Sequence, residues 1–117
     1  MRIPVLIVSI LLFLAIRALR IFTNPFFLIH QLKFQTHFSP PTETLNTVLQ
    51  VLNKLCLKLR LNNACFDISL VLFFWAPAGA SLCLNKDHCW ITFNEQRWDI
   101  APSQSPIELF RFQKASL

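Results

Sequence analysis

Glycine is nearly missing from this 117-residue chain, which has Gly79 alone, and tyrosine is absent. A single glycine excludes the phosphate-cradling loops of Walker and dinucleotide-binding folds, which need several such positions. Charge is scarce too: 15% of residues, six acidic against eleven basic. The net charge of +5 admits an anionic partner, but Lys and Arg are dispersed rather than gathered in one stretch, which argues against nucleic acid. None of the four cysteines (Cys56, Cys65, Cys83, Cys89) stands in a C-x-x-C pair. Only Cys83, His88 and Cys89 approach one another, one ligand short of a structural zinc site, so no metal is expected. The even cysteine count also suits two disulfides in an exported domain.

What is present is apolar surface. Hydrophobic residues make up 54% of the chain and include 12 Phe, which argues against intrinsic disorder; the length suits one domain. Ile3 to Ile16 is a run of fourteen uncharged residues, preceded by Arg2 and followed by Arg17 and Arg20. It is short of the ~20 residues that cross a bilayer. It has the length of a signal-peptide core, but RALRIF follows it in place of a small-residue cleavage site. Three readings stay open: a short membrane anchor, a membrane-surface helix, and an apolar helix docked on the rest of the domain. If it spans, Arg17, Arg20 and Lys33 against Arg2 place the C-terminal part in the cytoplasm.

Asn24-Pro25 ends the first helix, because a residue before proline is pushed out of the α region. Phe26 to Phe38 reads as a short helix or irregular stretch; its His30 and His37 lack acidic or cysteine neighbours at ligand spacing. Ser39-Pro40-Pro41-Thr42 is a break, dividing an N-terminal helical region (1–38) from the remainder (39–117). An amphipathic helix follows, with Leu45, Val48, Leu49, Leu52, Leu55, Cys56 and Leu59 on one face. Thr42 or Thr44 is its expected N-cap, with Glu43 at the positive end and Lys58 and Arg60 at the negative end. Asn62-Asn63-Ala64 interrupts the pattern. Cys65 to Trp75 is apolar on nearly every side beyond Asp67, as in a buried helix, and Pro77 and Gly79 end it. Two rivals are a buried strand over Ile68 to Phe74 and a membrane span over Ile68 to Leu84.

From Ser81 the pattern turns to strands. Ser81 to Leu84 is one; His88 to Phe93 and Gln96 to Ala101 form a hairpin around Asn94-Glu95. Ile107 to Phe112 adds an edge strand or a turn of helix. The fold class is α+β, with N-terminal helices before a Cys-led buried helix packed on a small antiparallel sheet.

With Asn63 as N-cap, Cys65 falls in the first turn of the buried helix, where unpaired N–H groups and the helix dipole stabilise a thiolate. A nucleophilic cysteine also needs an imidazole, and His88 opens the hairpin. A two-residue turn pairs Phe93 with Gln96, so Asp99 faces Trp90. Asp99 and His88 then share a face as diagonal neighbours ~7–8 Å apart, close enough for the carboxylate to orient the ring. A three-residue turn would put Asp99 on the opposite face. The alternative to a Cys65–His88–Asp99 triad is a core cysteine, a surface histidine and an ordinary hairpin aspartate, with Trp90 and Trp98 packing the hairpin.

The stretches ACFDISLVLFFWAPAGASL and DHCWITFNEQRWDIAPS resemble the transglutaminase-like cysteine peptidase of lasso-peptide biosynthesis. Cys65-Phe66 stands at that family's Cys-Leu helix opening, Gly79 at its post-helix glycine, His88-Cys89-Trp90 at its His-Ala-Trp strand, and Asp99 at its returning acidic residue. The segment ending IRALRIFTNPF is similar to the family's Leu- and Arg-rich N-terminal region, and Thr44 to Leu61 to the helix before the cysteine. Two departures stand out. The Gly-to-His segment is several residues short, and Asp67 sits where basic positions are usual.

The resemblance implies a papain-like core and a cysteine peptidase that removes the leader from a ribosomally made precursor peptide. Cys65 would be the nucleophile, His88 the acid and base, and Asp99 the orienter. It further implies a small leader-recognition protein and a macrolactam synthetase as partners, ATP-linked processing without a cofactor motif in this chain, and a cytoplasmic location. The competing expectations are a non-catalytic, membrane-associated interaction protein, a disulfide-bonded exported domain, and a catalytically dead relative of the peptidase.

Overall fold

The computed structural model describes residues 2–35, 40–61, 64–85, 88–93, 96–98 and 108–116. The apolar N-terminal run folds as one helix, α1 (Arg2–Leu19), closed by backbone bonds from Arg20 and Thr23 to the carbonyls of Ile16 and Leu19. Asn24 both ends that turn and starts α2 (Pro25–Leu32): its Oδ1 accepts the Phe26 N–H at 2.8 Å, and Pro25 occupies the first turn, where its missing N–H costs nothing.

α3 (Thr42–Leu59) buries Leu45, Val48, Leu52 and Cys56, the stripe that its spacing predicts, although Leu59 is exposed. Its N-cap differs from expectation. Pro41 takes that place with no side-chain bond, while Thr42 and Thr44 lie inside the helix. The cause is the Pro40-Pro41 pair, whose fixed φ starts the helix one residue earlier. At the other end Arg60 adopts φ 55°, ψ 44°, and its N–H and that of Leu61 return to Leu57 and Cys56. This left-handed closing turn is usually made by glycine.

α4 (Ala64–Trp75) is a helix, so the strand and membrane-span readings of this segment fail. It is buried from Asp67 through Phe73 because the sheet covers one side while α1, α2 and α3 pack around it. The Asn63 cap expected for it lies outside the described residues.

After the turn at Gly79 (φ +97°), β2 (Ser81–Leu84), β3 (Cys89–Phe93), β4 (Gln96–Trp98) and β5 (Phe110–Gln113) form an antiparallel sheet in the order β4-β3-β2-β5. Phe93 pairs with Gln96 and Ile91 with Trp98, the register expected of a two-residue connection. Leu82, Cys89, Ile91 and Trp98 join the core with α4, whereas Cys83, Trp90, Thr92 and Arg97 alternate onto the other face. A short parallel pair, β1 (Phe34–Gln35) with β6 (Ala115–Ser116), ties the C-terminal segment to the end of α2. The core draws on both sides of the Pro40-Pro41 break: Val5, Phe13, Ile16, Leu28 and Ile29 belong to the same cluster as Leu52, Phe73 and Ile91.

Among the described residues no helix is long and apolar enough to cross a membrane. α1 is instead fastened to α4 at two levels. The Trp75 indole N–H donates to Ser9 Oγ at 2.8 Å, and Asp67 Oδ2 takes Arg17 and Arg20 at 2.8 and 2.9 Å. These contacts make α1 antiparallel to α4.

Candidate functional site

The first turn of α4, the end of α1, the start of α2 and the β2–β3 connection meet around a cleft of about 330 Å³. Cys65, the second residue of α4, lines it together with His88, the residue just before β3. Two of the three candidate catalytic residues, 23 positions apart, therefore border one space. Asp99, the third, lies outside the described residues; the strand register on which its role depends is present as far as Trp98.

Cys65 is half-buried at the N-terminal end of α4, where backbone N–H groups lack helical acceptors and the dipole favours an anion. His88 is held by a reciprocal turn with Asn85: the His88 N–H donates to Asn85 Oδ1 and the Asn85 N–H donates to the His88 carbonyl, both at 2.9 Å. Its ring stacks on Trp90, 5.7 Å between centroids and 21° between planes, and the Arg97 guanidinium lies 5.5 Å from the Trp90 ring. Trp90 is buried, as expected, but on the sheet face away from α4, where it supports the imidazole. Trp98 packs in the main core.

Phe26, Ile29, Phe66 and Leu84 make the remaining wall largely apolar, and Arg20 supplies its cation. Arg20 is placed by Asp67, a fully buried carboxylate in the first turn of α4. Burial raises the Asp67 carboxyl above the usual carboxylate range, with Arg20 and Arg17 pulling the other way. Among the described residues only one oxygen is used: Oδ1 is buried with no hydrogen-bond partner there. Asp67 thus serves as the anchor for α1 and as the hold on Arg20. The signal was legible in principle, because an aspartate in an otherwise apolar helix demands a buried cation and Arg17 and Arg20 lie one turn apart.

The other thiols have different surroundings. Burial pushes Cys56 up, and pushes Cys83 up to about 11, so neither suits nucleophilic chemistry near neutrality. Cys89 is buried against α4, its carbonyl accepting from Ser69 Oγ at 3.1 Å. None of the four is in a disulfide, in contrast to the exported-domain expectation. Among the described residues, no three His, Cys, Asp or Glu side chains converge as a metal would require.

A second buried charge went unremarked in the sequence. Lys114, 2% exposed, donates from Nζ to the carbonyls of Leu32 at 2.7 Å, Phe73 at 2.7 Å and Phe74 at 3.1 Å. One ammonium with three protons thereby closes the C-terminal ends of α2 and α4 together, where the helix dipoles favour a cation. The opposite ends of these helices form the cleft, so Lys114 sets their mutual placement from the far side.

Compared with known protein families, curated proteins and solved structures, the chain matches none of them.

Proposed function

We propose that this protein is a cysteine peptidase of transglutaminase-like type that removes the leader from a ribosomally synthesised precursor peptide in lasso-peptide maturation. The observation that carries the reading is that Cys65, in the first turn of a buried helix, and His88, beside the first strand of a hairpin, both line one cleft. The apolar wall from Phe26, Ile29 and Phe66 suits a peptide side chain, and the cleft is large enough for about one or two residues.

In this reading His88 takes the thiol proton of Cys65, and the thiolate forms a bond to the scissile carbonyl carbon. As the C–N bond breaks, His88 returns the proton to the leaving amine. Water then attacks the thioester with His88 as base, releasing the acid and restoring the thiol. Backbone N–H groups at the start of α4 stabilise the oxyanion. Asp99 orients the imidazole, and Asn85 fixes its backbone. A small leader-recognition protein, a macrolactam synthetase, ATP-linked processing and a cytoplasmic location follow from the family resemblance. The chain itself supplies only the hydrolytic site.

A peptidyl vinyl sulfone, which alkylates an activated thiol, tests this directly by intact mass. One adduct is expected, located at Cys65, lost in Cys65→Ala and at least about tenfold slower in His88→Ala. Labelling spread over several cysteines, or indifferent to His88, would overturn the proposal.

A further inference from the structure

α1 has an inner face that the fold consumes and an outer face that it leaves apolar. Val5, Ser9, Phe13 and Ile16 point inward, while Ile7, Leu11 (61% exposed) and Leu14 line the outside at helical spacing. The stripe runs into the turn before α2, where Ile21 and Phe22 are 78% and 85% exposed. No charged residue occurs from Ile3 to Ile16. We infer that this outer face, with the Ile21–Phe22 turn, seats the protein on an anionic lipid surface, lying in the interface without crossing it.

Crossing is disfavoured by the fastenings of α1. A spanning helix would leave Asp67 without Arg17 and Arg20, and would strip the Ser9–Trp75 bond. Lipid can therefore reach only the outer face. Charge selects the occupant. Two copies at +5 each repel, whereas an anionic bilayer attracts the same charge. The attraction is also placed. α3 packs beside α1, and both pack against α4. The exposed Lys54, Lys58 and Arg60 lie near the end of α3, the helix packed beside α1. Apolar protrusions beside cations are the arrangement by which surface helices hold anionic bilayers. Phe22 precedes the cleft residues Pro25 and Phe26 by one turn of chain, so such docking brings the cleft to the lipid boundary. The inference does not depend on peptidase activity.

Co-sedimentation with phosphatidylcholine vesicles, with and without phosphatidylglycerol, is the test. Binding is expected to the anionic vesicles at low salt, to weaken at high salt, and to fall at least about tenfold in L11E/F22E and in K54E/K58E. Unchanged circular dichroism and melting of these surface variants would establish that the fold is intact. Absence of binding to phosphatidylglycerol vesicles, or binding indifferent to both variants, would overturn the inference. So would bound protein that resists alkaline carbonate, which marks a spanning helix. Concentration-dependent dimerisation without lipid, abolished by L11E/F22E, would assign the face to a second copy instead. Any of these outcomes leaves the vinyl sulfone result untouched, so the two readings fail separately.

Discussion

α1 and α4 are built from the same kinds of residue, and only one is enclosed. α4 lies between the sheet and the other helices, and its one charge, Asp67, is met by two arginines. α1 gives its inner face to that core and leaves Ile7, Leu11 and Leu14 outside. Apolar composition states a demand for cover without saying what supplies it. For α4 the chain supplies it; for α1 the outer half stays uncovered among the described residues. The same contrast runs to the cleft, where the enclosed helix contributes Cys65 and the turn after the half-covered one contributes Arg20.

The enclosed helix is the more sensitive to truncation. Phe73→Ala, on the enclosed helix, is expected to cost about 3–5 kcal/mol by urea unfolding, because Phe73 is fully buried. Next comes the buried ammonium. Lys114→Met leaves three inward carbonyls without their donor and is expected to cost on the order of 2 kcal/mol at neutral pH.

The contribution of Lys114 depends on pH. Burial pushes Lys114 down from 10.5 to about 8. Between those values the unfolded chain holds a proton that the fold has released, so stability from this group rises with pH across that window. The gap between wild type and Lys114→Met should therefore widen from about pH 8 to 10.5, by on the order of 3 kcal/mol. A gap that narrows over that range would mean that the carbonyls hold the charged form more firmly than burial opposes it.

A smaller effect with the opposite sign belongs to Arg60→Gly. Relieving the left-handed residue at the end of α3 should raise the unfolding midpoint by about 0.5–1 kcal/mol equivalent. Smallest of all, Leu11→Ala on the outer face of α1 should stay within about 0.5 kcal/mol in the absence of lipid.

Local pattern carried the reading where the physics is local. The apolar stripe of α3 and the all-round burial of α4 follow from helical period, and the pairing of Phe93 with Gln96 follows from turn length. Periodicity could not place β5 beside β2, because Leu84 and Phe110 meet through a long-range contact. Nor could it match Asp67 with arginines 47 and 50 positions away, or bring Lys114 to the ends of two helices. Cap residues failed for a different reason. Thr42 and Thr44 carry the right chemistry, but the proline pair before them had already set the helix start. At the cleft, Cys65 and His88 were legible as types at a spacing, whereas Arg20, Phe26 and Asn85 enter it only through tertiary packing.

If Cys65 is the activated thiol, iodoacetamide labelling from pH 5 to 9, with each cysteine quantified by peptide mass spectrometry, will single it out. Cys65 is expected to react first and to retain reactivity at or below neutral pH, with that reactivity reduced in His88→Ala. Cys56 and Cys83, whose thiols burial has pushed up, should lag throughout. A Cys65 no more reactive than those two would rule out the proposed nucleophile.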